Sequence, residues 1–240
     1  MRHIPNFITS LNLASGFVSI IFLLNGNPVI ASWFIVAALV FDFSDGFAAR
    51  ILNAYSDLGK QLDSLADIVS FGVAPGLIMY LLLERSTGLI VSTESNHEII
   101  WKTLFLIIPA MVPVCAGLRL AKFNIDESQS SSFRGLPTPA AALVIISVVL
   151  SDRYHDSAVI SHFVTSSLSL IIFTLIVSGL MVSRIPMLSL KFTSIKVKGN
   201  EYRYILIAVC ILLFIIFGFG SIPWIIPVYI IISLLSHFLK

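Results

Sequence analysis

Charge is scarce in this chain: Asp, Glu, Lys and Arg together make up 12% of its 240 residues, against 57% hydrophobic. A soluble globular domain carries roughly 25% charge, so that class is excluded and a polytopic membrane protein is expected. Cysteine is nearly absent as well. Cys115 and Cys210 both fall in apolar stretches, which argues against a disulfide framework or a thiolate metal site. The formal net charge of +2 leaves no basic surface for nucleic acid. The five histidines, at 3, 97, 155, 162 and 237, show no paired ligand spacing and read as interfacial or exposed. No tandem repeat is present, and the one polar patch, 126–132, reads as a flexible cytoplasmic loop. No adequate signal-type apolar core precedes the small residues Ala14-Ser15-Gly16, and the apolar run continues past them, so a retained first span is expected rather than a cleaved signal.

What is abundant is long apolar sequence. Stretches of about 20 residues suit a bilayer core of about 30 Å, and eight are found, at 6–25, 29–50, 59–84, 101–122, 137–152, 160–183, 203–219 and 222–239. Gly218, Gly220 and Pro223 punctuate the last two into a hairpin. With the amino terminus inside, all of the 15 Lys and Arg residues except Arg85, Lys102 and Arg153 fall on the cytoplasmic side. The expected fold is therefore all-α: a polytopic integral membrane helical bundle of about eight transmembrane helices, with both termini cytoplasmic. The basic run Lys191–Arg203 reads as a topology determinant at the anionic inner leaflet.

Against this background four aspartates stand out. They lie in the run Asp42-x-x-Asp45-Gly46-x-x-Ala49-Arg50, eight residues, then Gly59-x-x-x-Asp63-x-x-x-Asp67. An aspartate at the centre of a membrane helix costs about 2.5–3.5 kcal/mol on insertion scales, so something must offset four of them. On a helix, Asp42, Asp45, Gly46 and Ala49 share one face, and so do Gly59, Asp63, Asp67, Ser70 and Ala74. The short connection 51–58 predicts antiparallel neighbours whose acidic stripes face each other. Converging carboxylates either take up protons or bind cations. Four negative charges match two divalent ions, and oxygen-only ligands suit Mg²⁺ or Mn²⁺. Paired metals clamp phosphoryl oxygens during in-line displacement. Arg50 adds a fork suited to phosphate. Taken singly, Gly46, Ala49 and Gly59 also fit close helix packing, and a lone aspartate fits a proton or ion path.

The run from Asp42 to Asp67 resembles, at every fixed position, the signature of the CDP-alcohol phosphotransferase family of integral membrane enzymes. The resemblance implies a two-metal site held by Asp42, Asp45, Asp63 and Asp67, with Asp67 also the base toward the acceptor hydroxyl. It implies further that Asp42, Asp45, Gly46, Ala49, Arg50, Gly59 and Asp63 border the CDP moiety, and that the enzyme is a homodimer. Residues 63–75, 5–13, 119–124 and 133–139 are similar to stretches of bacterial and archaeal phosphatidylserine synthases. That likeness implies CDP-diacylglycerol as donor, L-serine as acceptor and the cell (inner) membrane as location, and the Lys and Arg placement puts the four aspartates on the cytoplasmic side. The likeness extends over about 5–185. Residues 1–185 are thus expected to form a six-helix core, and 186–240 a basic cytoplasmic loop with two further helices. Phe47 and Lys122 depart from the residues usual at their positions, basic and arginine respectively.

Serine presents a carboxylate, an ammonium and the attacking hydroxyl. Arg119 and Lys122 are the candidate cations, with Asn12, Ser70 and Asn124 as candidate hydrogen-bonding partners. Arg119 and Lys122 equally suit topology anchors at a helix end. A sister transferase acting on glycerol 3-phosphate or an inositol phosphate is the alternative, but a phosphate-bearing acceptor calls for a denser basic cluster. A divalent cation transporter is more remote, because its acidic groups would spread across the membrane depth.

Overall fold

The computed structural model describes residues 3–88, 104–125, 133–188 and 200–238. The expected loop at 126–132, the basic residues Lys191, Lys196 and Lys198, and His97 and Lys102 lie outside them. Helix α1 (Ile4–Leu24) turns through Gly26, whose φ of 72° a side chain would strain, into α2 (Pro28–Ile51). Pro28 opens α2 where its missing N–H costs nothing. Ser56 then caps α3 (Asp57–Asp67), its hydroxyl accepting from the Gly59 N–H at 3.0 Å. The helix continues through a π-helical segment, Ile68–Val73, into α4 (Ala74–Thr87). After a 3₁₀ turn at Ile108–Ala110 come α5 (Met111–Ile125), β1 (Phe133–Arg134), α6 (Thr138–Tyr154), α7 (Ala158–Thr165), α8 (Ser167–Val182) and β2 (Pro186–Met187). A final pair, α9 (Glu201–Phe217) and α10 (Ile222–Phe238), is joined by a 3₁₀ turn at Gly218–Ser221.

Each of the eight expected segments contains helix, but length and composition qualify four as membrane spans: Ile4–Leu24, Pro28–Ile51, Asp57–Thr87 and Ile108–Ile125. Counting the bent α7–α8 pair as one gives five. The expected continuous span at 160–183 is corrected, since α7 and α8 meet at 87°. Ser166 is the cause. It leaves helical geometry (φ −91°, ψ 108°) and caps α8 by accepting from the Ser169 N–H. Helices α6, α9 and α10 have 17 residues each, about 25 Å at 1.5 Å per residue, short of a hydrocarbon core of about 30 Å.

Helix α6 forms the centre of the bundle, with every residue from Val144 to Ser151 buried. It is apolar on nearly all sides, as a helix enclosed by others must be. The outer surface is apolar too: Phe43 and Ile215 are each 74% exposed, as in a protein whose solvent is lipid. At one end, β1 and β2 pair antiparallel to make a strap. Gly135 (φ 76°) permits its turn, because a Cβ there would lie 2.7 Å from the Met181 carbonyl oxygen. Tyr229 and Ser233 of α10 secure the strap at Leu188: the Tyr229 hydroxyl donates to its carbonyl at 2.9 Å, and the Ser233 oxygen accepts from its N–H at 3.1 Å.

Candidate active site

The site begins with the inner face of α1. Its buried residues, Pro5, Thr9, Asn12, Gly16, Ser19 and Leu23, recur at steps of four and three, the spacing of one helix face. On a helix otherwise apolar, that face is mostly polar or small. It packs against both α2 and α3, whereas those two meet only sparsely. Helix α1 thus bridges the two acidic helices, and their carboxylate stripes face each other as expected, Asp42 of α2 converging with Asp63 and Asp67 of α3.

Thr9 donates to Asp45 Oδ2 at 2.6 Å, and Asn12 Nδ2 donates to Asp67 Oδ1 at 3.2 Å. Three residues separate the donors, about 4.5 Å along α1, so the two carboxylates are held at neighbouring depths. Asp45 stands six residues before the end of α2, and Asp63 six after the start of α3. Each lies about 9 Å inside its helix end.

One oxygen each from Asp42, Asp63 and Asp67 lies within 4.8 Å of the others. At 4.8 Å two like unit charges repel by about 3 kcal/mol at an effective dielectric near 20. Asp45 and Asp67 are only 6% and 7% exposed, so water screens them little. The buried Asp63 Oδ1 has no hydrogen-bond partner. Clustered, buried and partly unsatisfied oxygens are the donor set of a hard cation, and this cluster can hold a metal ion.

A cavity of about 680 Å³ adjoins the cluster. Asp45, Gly46, Ala49 and Arg50 line it from α2, Gly59, Lys60 and Asp63 from α3, and Asn6 and Thr9 from α1. Arg50 keeps its Nε on the Gly46 carbonyl at 3.2 Å. Gly59 provides room: a Cβ there would lie 2.9 Å from Asn6 Oδ1.

Of the residues expected to meet the acceptor, Arg119 of α5 lies within electrostatic reach of Asp67 and of Tyr229, and its buried Nε has no hydrogen-bond partner. The other candidates are placed differently. Lys122 is exposed on the last turn of α5. Asn124 is engaged with α3, its amide donating to Ser64 Oγ at 2.8 Å and its carbonyl accepting from Lys60 Nζ at 3.1 Å. Ser70 donates to the Asn12 carbonyl at 3.0 Å. Sequence reasoning missed Thr9 and Asn6, which the polar face of α1 would have flagged. It also missed Lys60 and Tyr229, for which the local sequence carries no signal.

The arrangement pairs a carboxylate cluster suited to metal with a cavity walled by small residues and two cations. The sequence description of CDP-alcohol phosphatidyltransferases matches residues 2–178. The chain belongs to that family. Among curated relatives of this family member is a CDP-diacylglycerol–serine O-phosphatidyltransferase of Helicobacter pylori (strain J99), 38% identical over 154 residues. The match covers 63% of this chain and 59% of the relative's length. The enzyme of the same name in Bacillus subtilis is 37% identical over 155 residues, 65% of this chain and 78% of its own. An archaetidylserine synthase of Methanothermobacter thermautotrophicus is 30% identical over 155 residues, 64% of this chain and 60% of its own.

Proposed function

We propose that the chain transfers the phosphatidyl group of CDP-diacylglycerol to the hydroxyl of L-serine, giving phosphatidylserine and CMP. The observation that carries the reaction class is the cluster Asp42–Asp63–Asp67 opening on the cavity lined by Gly46, Ala49, Arg50 and Gly59. The printed activities of the relatives support the choice of acceptor. So does the placement of Arg119 near Asp67, where among the described residues no dense basic cluster of the kind a phosphate-bearing acceptor calls for gathers around it.

In this reading Asp42, Asp45, Asp63 and Asp67 hold two Mg²⁺ or Mn²⁺ ions, which when bound supply positive charge to the diphosphate and to departing CMP. Gly46, Ala49 and Gly59 leave room for the CDP moiety, and Arg50 and Lys60 face its charge. Asp67, held by Asn12, accepts the proton as the serine oxygen bonds to the phosphorus bearing diacylglycerol. The P–O bond to CMP breaks as the new bond forms, and CMP carries away the electron pair. Arg119 holds the serine carboxylate. The full reading comprises eight spans with both termini cytoplasmic, a 1–185 catalytic core with 186–240 appended, a site at the cytoplasmic face of the cell membrane, and a homodimer.

The test offers purified protein CDP-diacylglycerol and Mn²⁺ with serine, glycerol 3-phosphate or inositol phosphate, and measures CMP. Serine is expected to drive release. Release with another acceptor and none with serine would overturn the assignment of the alcohol and leave the family intact.

A further inference from the structure

Asn12 is wholly buried, and the two ends of its side-chain amide face different circumstances. The nitrogen donates to Asp67 Oδ1 at 3.2 Å, whereas the carbonyl oxygen, also buried, has no hydrogen-bond partner. As a metal-holding carboxylate in the proposed reading, Asp67 only accepts, and so fixes which end of the amide faces it. The backbone that carries the amide is fixed in place. Its backbone carbonyl is held by Ser70, and Gly16 one turn on is packed so closely against Ser70 that a Cβ would lie 2.8 Å from the Ser70 Cα. A buried carbonyl oxygen left unpaired costs stability, and native proteins seldom keep one without a use.

Arg119 Nε is a second buried, unpaired group associated with Asp67. Asp67 is therefore attended by a spare acceptor and a spare cationic donor. A molecule that complements this set carries a donor, an acceptor anion and a hydroxyl. An amino acid alcohol has all three; glycerol 3-phosphate and inositol phosphate lack the ammonium.

We infer that Asn12 is a specificity-determining residue that reads the ammonium group of the acceptor: Oδ1 accepts from it while Nδ2 holds Asp67. The inference rests on the reading of serine as acceptor and adds to it the residue that recognises the amine. It separates two roles in one side chain, and a ratio of substrates separates them in turn. Loss of the hold on Asp67 affects every alcohol alike, whereas loss of Oδ1 affects only those with an amine.

The experiment compares kcat/KM for L-serine and for 3-hydroxypropanoate, which keeps the hydroxyl and carboxylate but lacks the amine. The wild-type protein is expected to prefer serine by at least about 100-fold, since sites built to pair a polar group reject analogues lacking it. Asn12→Ala is expected to reduce that preference at least about tenfold. The isosteric Asn12→Asp, which keeps an acceptor oxygen and loses the donor, is expected to lower turnover with both acceptors to a still measurable level while retaining the preference. It also supplies a readout if the alanine variant does not fold. An unchanged preference in Asn12→Ala, a lost preference in Asn12→Asp, or equal use of both acceptors by the wild type would overturn the inference. Wild-type CMP release with glycerol 3-phosphate alone would instead remove the serine reading on which it rests.

Discussion

The inner face of α1 and the body of α6 are both buried in the same bundle, yet they are built from opposite materials. Helix α6 fills its surroundings with Ala141, Ala142, Val144, Ile145, Ile146, Val148 and Val149, and its Ser147 hydroxyl turns back to its own helix at the Val144 carbonyl, 2.6 Å away. Helix α1 instead presents Thr9 and Asn12 to carboxylates on two other helices. Packing explains the body of α6 from Ala141 to Leu150. In α1 the polar groups position charges that the fold itself does not require, beside a space that it leaves open. Buried polarity reaching across helices, next to unfilled volume, is thus the physical mark of the working end of this molecule.

The contrast predicts that substitutions near α1 change turnover and those in α6 change stability. The largest effect is expected for Asp67→Asn, with CMP release reduced by at least about 10³-fold through loss of the base and a metal ligand, while the folded protein persists. Melting of the purified variant beside the wild type checks the second half. Next is Gly16→Ala, whose new methyl meets the Ser70 backbone and pushes α1 away from the π-helical segment. A shift of about 1 Å between Asn12 and Asp67 is expected to lower kcat by about 10²-fold. Thr9→Val removes the hydrogen bond to Asp45 while keeping the side chain's shape. The Mn²⁺ concentration for half-maximal activity is expected to rise by about tenfold, the scale of lost outer-shell support at metal sites. The smallest catalytic effect is expected for Ile145→Ala in α6. It should destabilise by about 2 kcal/mol, at the low end for cavity formation because membrane burial gains little from excluding water. Its serine KM should not move. A larger fall in kcat for Ile145→Ala than for Thr9→Val would break the comparison.

Much of this was legible in the sequence because the decisive signals are local. The acidic residues fall on shared helix faces by spacing alone, and apolar length marked helix at all eight segments. The family signature followed from the same letters, and the match over residues 2–178 agrees with it. What was illegible depends on non-local packing. Nothing in the spacing of α2 and α3 shows that α1 packs against both. The break at Ser166 is hidden because serine is ordinary within an apolar run, and only its extended backbone and capping bond create the bend. Asn12, expected on the acceptor side, also holds Asp67, a partner 55 positions away. Tyr229 reaches the neighbourhood of Arg119 from beyond the matched family segment, so no local motif announced it.

The most direct test of the central claim is phosphatidylserine formed per CMP released as Mn²⁺ is returned to metal-stripped protein in vesicles containing CDP-diacylglycerol and serine. Metal-dependent formation of the two products in equal amounts, abolished in Asp63→Asn, is the predicted result. Product formation without divalent metal, or CMP release with no phosphatidylserine, would contradict it.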